Sequence, residues 1–161
     1  MITTELVQHL FDYRDGKLYW KNSKRDGWNG KEAGNLQSNG YVVIKINNKF
    51  YKAHRVIWLW HGKELPEELD HINGCRHDNN MSNLRACNRF ENAKNLKRPI
   101  TNKTGFKNVI LNNKNKNYNV VITANGKKMH IGTFKDLELA ELVAIEARDK
   151  YHGEFATREN R

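Results

Sequence analysis

The stretch that decides the fold reads Leu69-Asp70-His71-Ile72-Asn73-Gly74, and it continues through Asp78-Asn79-Asn80 and Asn83-Leu84-Arg85 to Asn88-Arg89-Phe90-Glu91-Asn92. This pattern predicts a strand, a turn that contains glycine, a loop, a second strand and a helix. Asn88 and Glu91 stand three residues apart, as in a capping box, so we expect the helix to run from about Arg89 to Leu96.

Asp70 and His71 are adjacent on the first predicted strand, so their side chains are expected on opposite faces. One side chain is then able to bind a metal ion while the other acts on water. Hydrolysis of a phosphodiester needs both parts, because a divalent cation stabilises charge on the phosphate oxygens and a neutral imidazole removes a proton from the attacking water. A ligand set of carboxylate and amide oxygens suits Mg²⁺ or Mn²⁺ better than Zn²⁺.

The same residues resemble the HNH endonuclease family, whose core is a ββα-metal fold, and above all its phage and intron-associated homing endonucleases. In those relatives an Asp-His pair is followed by an Asn twelve residues after the His and by another twenty-one residues after it. Here Asn83 (71 + 12) and Asn92 (71 + 21) stand at these positions. The resemblance implies that Asp70 and Asn92 bind one divalent ion per site, Mg²⁺ or Mn²⁺, that His71 is the general base, and that Asn83 orients the imidazole.

Simpler interpretations remain open for each of these residues. His71 is alternatively a structural histidine beside Asp70 in a turn, with Asn83 and Asn92 as capping residues. The other histidines of this region, His54, His61 and His77, are expected to be structural or on the surface. A zinc site of Cys75, His77 and Cys87 lacks a fourth soft ligand at finger-like spacing.

Composition and charge indicate a basic protein that binds a polyanion. The chain has 161 residues, 28 of them Lys or Arg and 18 Asp or Glu, which gives a net charge of +10 and a pI near 9.6. A mean hydropathy of −0.86 excludes a membrane protein, and the first ten residues lack the pattern of a signal peptide. Two cysteines make no disulfide framework, so we expect a cytoplasmic protein, in the host cell if the gene belongs to a phage.

The charge is concentrated in one segment. Residues 99–135 contain seven lysines and no Asp or Glu, whereas residues 136–161 carry an excess of acidic side chains. A solvated charged face explains this distribution in part, and lysines that dock on phosphates explain it better when the nuclease motif upstream is considered. We therefore expect double-stranded DNA as the partner.

The N-terminal residues are predicted to form a helix and two hairpins. Residues 4–11 fit a short amphipathic helix capped by Thr3 or Thr4, and residues 13–20 fit a hairpin around Asp15-Gly16. Residues 28–39 are expected to be a loop, residues 41–52 a hairpin that turns at Asn47-Asn48, and residues 54–61 a buried helix that ends before Gly62.

The C-terminal residues are predicted to form three short strands and one helix. The strands are expected at 106–111, 118–123 and 128–131, the last two joined by Asn125-Gly126, and the helix at 136–152. This segment resembles the AP2 DNA-binding domain, in which a three-stranded antiparallel sheet packs on one helix and enters the major groove. Strand alternation assigns Val109, Val120 and Ile122 among others to the helix side.

The opposite face of that sheet is the predicted DNA-binding surface. We expect six side chains on it, namely Lys107, Asn112, Asn119, Thr123, Lys128 and His130. In AP2 relatives several groove-facing positions are Arg or Trp, whereas Ile110, Val121, Thr123 and His130 stand there in this chain. That difference weakens guanine readout by Arg while lysines still supply affinity for phosphates.

These patterns predict an α+β protein in three parts. They are an N-terminal hairpin region (1–52), an HNH ββα-metal core (53–98) and an AP2-like DNA-binding domain (99–161). The predicted activity is site-specific, homing-type cleavage of DNA by a monomer that nicks one strand, with Arg85 and Arg89 as nearby cations that clamp the substrate. A DNA-binding regulator with a vestigial nuclease core is the first alternative, and an RNA-binding or RNA-cleaving protein is the second.

Overall fold

A computed structural model describes residues 2–94 and 101–156 of the chain and divides it into two compact units, Met1–Cys87 and Asn88–Arg161. Both units combine helices with small antiparallel sheets, so the α+β class is confirmed. The predicted boundaries at residues 52/53 and 98/99 stay a prediction, and Pro99, which suggested the second one, lies outside the described residues. No helix in the described ranges is both long enough and apolar enough to cross a membrane.

The first part of the N-terminal unit contains the predicted helices and hairpins. Its elements are α1 (Thr4–Leu10), β1 (Phe11–Arg14), β2 (Lys17–Trp20), β3 (Asn35–Leu36), β4 (Val42–Ile46), β5 (Lys49–Lys52) and α2 (Ala53–Trp60). The Thr3 hydroxyl accepts a hydrogen bond from the Leu6 amide at 3.3 Å, which confirms Thr3 as the cap of α1. Strands β1 and β2 pair around Asp15-Gly16, and β4 and β5 pair around Asn47-Asn48, as predicted.

The prediction of a continuous loop over residues 28–39 was wrong at one point. Strand β3 pairs antiparallel with β4, with Asn35 opposite Val43 and Leu36 opposite Val42. Both β3 residues are exposed, so the strand has no alternation of apolar and polar residues from which to be predicted. Gly34 precedes it with a φ of +107°, and a Cβ there would lie 2.9 Å from side-chain atoms of Val42 and Ile44, so the position requires glycine.

A second hairpin completes the N-terminal unit. Strand β6 (Glu68–His71) pairs antiparallel with β7 (Leu84–Cys87), and a short 3-10 turn at Met81–Asn83 leads into β7. Leu69 and Leu84 belong to the same hydrophobic core as α1, α2 and the N-terminal hairpins. That core therefore fixes the strand that carries Asp70 and His71 against the buried face of α2.

The C-terminal unit is one sheet and one long helix, preceded by a short helix. Its elements are α3 (Arg89–Lys94), β8 (Val109–Asn112), β9 (Asn117–Ala124), β10 (Lys127–Phe134) and α4 (Leu137–His152). The strands pair antiparallel in the order β10-β9-β8, and the register of β9 with β10 shifts between His130 and Gly132. Val109, Val120, Ala140 and Ala144 are fully buried where α4 packs on the sheet.

Both helix starts predicted in this unit are confirmed. The Asn88 side chain accepts from the Glu91 amide at 3.0 Å while the Glu91 carboxylate accepts from the Asn88 amide at 2.8 Å, which is a reciprocal capping box. The Asp136 carboxylate accepts from the Leu139 amide at 2.7 Å at the start of α4. The predicted end of α3 at Leu96 falls outside the described residues.

The strand limits predicted for this unit were displaced, and one side chain of the segment before β8 was placed wrongly. Strand β8 starts at Val109 rather than at Phe106, and β9 and β10 are longer than predicted. Lys107 therefore lies before the sheet, where it is buried with 8% of its surface exposed, and its Nζ donates to the Lys94 carbonyl at 2.8 Å. Its assignment to the exposed sheet face was wrong.

Candidate functional site

Asp70 and His71 end strand β6, and both side chains are buried, with 7% and 4% of their surface exposed. The register places Asp70 opposite Arg85 and His71 opposite Leu84 on β7. The carboxylate of Asp70 bonds to Arg85 and the imidazole of His71 bonds to Asn79, so the two side chains have different partners.

Arg85 holds the Asp70 carboxylate. Its Nη2 lies 2.8 Å and its Nε 3.1 Å from Asp70 Oδ2, and the two side chains are only 14% (Arg85) and 9% (Asp70) exposed. Charged hydrogen bonds of this length in a partly dry environment fix the position of both groups. The negative charge of Asp70 is thus already paired with the positive charge of Arg85.

The His71 imidazole is oriented by Asn79. Its Nε2 lies 2.9 Å from the Asn79 side-chain oxygen, and Asn79 is 3% exposed. An amide oxygen only accepts, so Nε2 carries the ring proton and Nδ1 is the basic nitrogen. Burial lowers the pKa of His71 below its usual range, while the bond to Asn79 and the charge of Asp70 oppose that shift in part. The ring is therefore neutral at physiological pH.

Two further rings pack against His71. The ring centroid of His54 lies 5.0 Å from that of His71 with the planes nearly perpendicular, and the Tyr41 ring lies 5.5 Å from His54 and 6.1 Å from His71. His54 is 4% exposed and its Nδ1 is buried without a hydrogen-bond partner. Burial first, and then repulsion from His71 once that ring is protonated in acid, lowers the pKa of His54 to about 3. These rings form a neutral wall beside the imidazole.

Asn83 ties together the loop that follows His71. Its side-chain oxygen accepts from the Asn73 amide at 3.0 Å, and its Nδ2 donates to the Asn73 side chain at 3.0 Å and to the Asp78 carbonyl at 2.7 Å. The Asp78 carboxylate in turn accepts from the Asn80 and Asn73 side chains, each at 2.7 Å, and these bonds, the one from Asn80 first, lower the pKa of Asp78. Asn83 thereby holds the loop that carries Asn79.

The direct contact to the imidazole from Asn79 was missed by sequence reasoning. The segment Asp78-Asn79-Asn80 is conspicuous in the sequence, but its spacing from His71 suggested no particular role. Asn79 is buried, and a buried side-chain amide needs hydrogen-bond partners for both its oxygen and its nitrogen. Its neighbour Asn80 is exposed and has no such requirement, so burial distinguishes the two residues.

The predicted second ligand and second clamp residue lie in the C-terminal unit. Asn92 is half-buried on α3, and its amide donates to the Asn88 carbonyl at 3.0 Å, while Arg89 is exposed at the start of that helix. Asp70 and Arg85 lie in the N-terminal unit. Within the described residues, no group of three or more His, Cys, Asp or Glu side chains is arranged to hold a metal ion.

The donor chemistry fits a hard divalent cation all the same. The carboxylate oxygens of Asp70 and the amide oxygen of Asn92 are each of a ligand type that Mg²⁺ and Mn²⁺ accept. The Arg85 guanidinium lies 2.8 Å from the Asp70 carboxylate, so a divalent ion would share that carboxylate with the arginine.

The predicted DNA-binding residues of the C-terminal sheet, apart from Lys107, share one face. Register places Asn119 opposite Ile110 and Thr133, and Lys128 opposite Thr123, which puts these side chains on the side away from the buried Val120 and Ile122. On this face the Thr133 hydroxyl donates to the Asn119 side chain at 2.8 Å and lies 3.0 Å from His130 Nε2. The predicted DNA-binding residues that lie on this exposed face are Asn112, Asn119, Thr123, Lys128 and His130.

Comparison with known proteins assigns a family to the segment around Asp70 and His71. Residues 51–94, which contain the Asp70-His71 pair, Asn79, Asn83 and Asn92, match the HNH endonuclease family. The chain is also similar to a phage protein over 70% of its length, and it belongs to the HNH endonuclease family. That relative is Protein 3.8 of Escherichia phage T7, which is 31% identical over 119 residues, or 70% of this chain and 96% of the relative. No solved structure matches the chain.

Proposed function

We propose that this chain is a metal-dependent DNA endonuclease in which His71 is the general base and Asp70 and Asn92 bind one divalent ion, Mg²⁺ or Mn²⁺. The observation that carries the proposal is the buried, neutral imidazole of His71, fixed at 2.9 Å by Asn79 next to an ion-paired Asp70. A neutral imidazole held in one tautomer is the group that removes a proton from water at physiological pH.

His71 would take the proton of the attacking water on Nδ1, because Nε2 already carries the hydrogen that points to Asn79. As Nδ1 gains this proton the ring becomes positive, and the Asn79 oxygen and the Asp70 carboxylate stabilise that charge. Asn83 would act one step further away, by keeping the loop of Asn79 in place. In this role Asn83 positions the imidazole through Asn79.

Asp70 and Asn92 would hold the divalent ion, which would supply positive charge to stabilise the phosphate and the leaving oxygen. Arg85 and Arg89 are the proposed phosphate clamps. Arg85 is held by Asp70 through Oδ2, so the same carboxylate would orient both the ion and the guanidinium.

The C-terminal unit is proposed to hold the DNA. Its three-stranded sheet on one helix supports an AP2-like arrangement, and its exposed face carries Lys128 and His130 in a segment with no carboxylate. Lysines there would bind phosphates, while Asn119 and Thr123 are able to donate and accept at base edges.

One site of this kind cuts one strand in each binding event, so a monomer is proposed to nick DNA at a specific site. The resemblance to homing endonucleases and the phage relative support a homing-type enzyme that acts in the cytoplasm of a host cell. A double-strand break would require a second binding event or a second subunit.

The direct test is nicking of supercoiled plasmid that carries the DNA neighbouring the encoding gene. With Mg²⁺ or Mn²⁺ the protein should convert the plasmid to the relaxed form, and EDTA should prevent this. His71→Ala should abolish nicking and preserve DNA retardation, whereas the matched variant His9→Ala, at an exposed histidine of α1, should nick like the unaltered protein. Equal nicking by His71→Ala would refute the assigned base.

A second candidate function is DNA binding without cleavage. The observation that favours it is the Asp70–Arg85 pair, because a carboxylate committed to an arginine is also what a vestigial metal site would contain. A regulator of this kind would slow the migration of the target DNA in a gel and would leave the plasmid supercoiled whichever divalent ion is added.

A further inference from the structure

A cavity of about 260 Å³ opens in the N-terminal unit between the loop after β2 and the turn that joins β4 to β5. None of Asp70, His71, Asn79 and Asn83 lines it, so the nuclease site does not account for it. Its lining includes two tryptophans and three cations, namely Trp20, Trp28, Lys24, Arg25 and Lys45.

The loop that forms one wall is held in a defined shape by its own polar groups. The Ser23 amide donates to the Asn29 side chain at 2.8 Å, and the Arg25 amide donates to the Ser23 hydroxyl at 3.1 Å. Asn22 donates to the His9 carbonyl at 2.7 Å and thereby attaches the loop to the end of α1. These hydrogen bonds fix the backbone of the loop that carries Lys24, Arg25 and Trp28.

All the charged side chains that line the cavity are positive. Its lining contains Lys24, Arg25 and Lys45 and no Asp or Glu, and Asp26 of the same loop does not contribute to it. Among residues 2–94 and 101–156, no carboxylate lies within 4 Å of the charged atoms of these three cations. Cations without a carboxylate partner around a concave surface attract a polyanion.

The aromatic wall supplies a stacking surface. Arg25 Cζ lies 4.7 Å from the ring centroid of Trp28, which is 37% exposed, and Trp28 packs edge to face on Trp20 at 5.7 Å. Trp20 is 9% exposed and its Nε1 is buried with no hydrogen-bond partner. The inner tryptophan is thus fixed in the core and supports the outer one.

We infer that this cavity binds an unpaired nucleotide of single-stranded DNA, with the base stacked on Trp28 and Arg25 and the flanking phosphates on Lys24 and Lys45. Exposed aromatic rings between cations are the recurring device for single strands, because every base has a face to stack and every nucleotide a phosphate to neutralise. A duplex keeps its bases stacked inside and offers a concave pocket of this size nothing to insert. The choice of DNA over RNA rests on the proposed function, whereas binding requires neither His71 nor a metal.

The test is a titration of the full chain with a short oligothymidylate in EDTA at low salt, followed by tryptophan fluorescence. All four tryptophans, Trp20, Trp28, Trp58 and Trp60, belong to the N-terminal unit, so the signal reports on that unit. Binding should quench the emission, and Trp28→Leu should weaken binding by about tenfold, within the range measured for loss of one stacked base. Arg25→Gln should weaken it about fivefold at unchanged thermal stability, since it alters one exposed side chain and no core contact.

A matched control is Lys63→Gln. Lys63 also stacks on a tryptophan, with Nζ 5.0 Å from the centroid of Trp58, but it does not line the cavity. This variant should bind the oligothymidylate like the unaltered protein. Equal affinity of Arg25→Gln and the unaltered protein for the oligothymidylate would overturn the inference, as would equal or tighter binding of oligouridylate. Quenching that persists in a chain that nicks no plasmid would refute the nuclease proposal and leave this one standing.

Discussion

The Asp70 carboxylate and the Arg85 guanidinium face each other across paired strands, with 2.8 Å between Oδ2 and Nη2 in a setting that leaves 9% and 14% of the two side chains exposed. Ion pairs this dry differ from surface pairs, because removal of one partner leaves a charge that water no longer solvates well. The strand that carries His71 is thereby anchored by an electrostatic contact as well as by the core.

A double-mutant cycle measures this anchoring. Arg85→Met should lower the free energy of unfolding by about 3 kcal/mol, because it leaves Asp70 charged and nearly dry. Asp70→Asn in the Arg85→Met background should restore part of that loss, so the two effects should be non-additive by at least about 0.5 kcal/mol. Urea unfolding in EDTA gives all four values.

The control for this cycle is the exposed pair of Arg14 and Asp12. Its charged atoms are 3.9 Å apart, and the two side chains are 65% and 44% exposed. Arg14→Met should change the free energy of unfolding by less than about 1 kcal/mol. Additive effects at Asp70 and Arg85 would contradict the view that the pair anchors β6.

Asn79 should matter for the rate of cleavage more than for DNA binding. Asn79→Ala removes the acceptor that fixes the proton on Nε2 of His71, and the imidazole then rotates and changes tautomer. We expect a fall in kcat of about a hundredfold, the size of effect that small misplacements of a catalytic group produce. Single-turnover nicking at saturating Mg²⁺ measures it, and retardation of the uncut DNA should stay within twofold.

The neighbouring Asn80 provides the comparison. Its exposed side chain bonds to Asp78 and not to the imidazole, so Asn80→Ala should leave kcat nearly unchanged. If both variants nick at the same rate, Asn79 has no special part in positioning His71.

The turns of this protein were predictable because few residues tolerate their backbone. Asp15-Gly16, Asn47-Asn48 and Asn125-Gly126 all have positive φ at both positions, from +46° to +78°, and each joins two strands as the sequence indicates. Capping residues were predictable for a similar reason, since Thr3, Asn88 and Asp136 each supply the oxygen that a helix start needs.

Two features of the functional surfaces were not predictable in the same way. Asn79 reaches His71 from eight residues away through a loop that has no periodicity, so the contact depends on a path that only the folded chain defines. Lys107 stands two residues before Val109, so alternation would put both on the helix side, and its assignment to the opposite face had no support from that count; in the structure β8 begins only at Val109. Alternation identifies a face only where the strand actually exists.

His54 should make folding sensitive to acid. Its pKa of about 3 in the folded chain lies below the ordinary value of 6.5, so the unfolded chain binds the extra proton first as the pH falls. Stability is therefore fully present above about pH 6.5 and decreases between pH 6.5 and 3. His54 alone should cost about 2 kcal/mol at pH 5 relative to pH 8.

His54→Phe tests this contribution because it keeps a ring of similar size and removes the buried Nδ1 that lacks a partner. The difference in unfolding free energy between pH 8 and pH 5 should be smaller in the variant by about 2 kcal/mol. His9→Phe, at an exposed position, should leave that difference unchanged. Parallel pH profiles of His54→Phe and the unaltered protein would mean that the buried ring titrates normally.

The exposed face of the C-terminal sheet should contribute phosphate contacts. Lys128 lies on that face in a segment free of carboxylates, so Lys128→Gln should reduce the slope of log affinity against log salt by about 0.9, the value for one phosphate contact. Lys150→Gln is the matched change on α4, which packs on the opposite side of the sheet, and it should leave the slope unchanged. Fluorescence anisotropy of labelled duplex DNA over a range of salt gives both slopes. Equal slopes for the two variants would assign DNA binding to another surface, because counterion release depends only on which lysines touch phosphates.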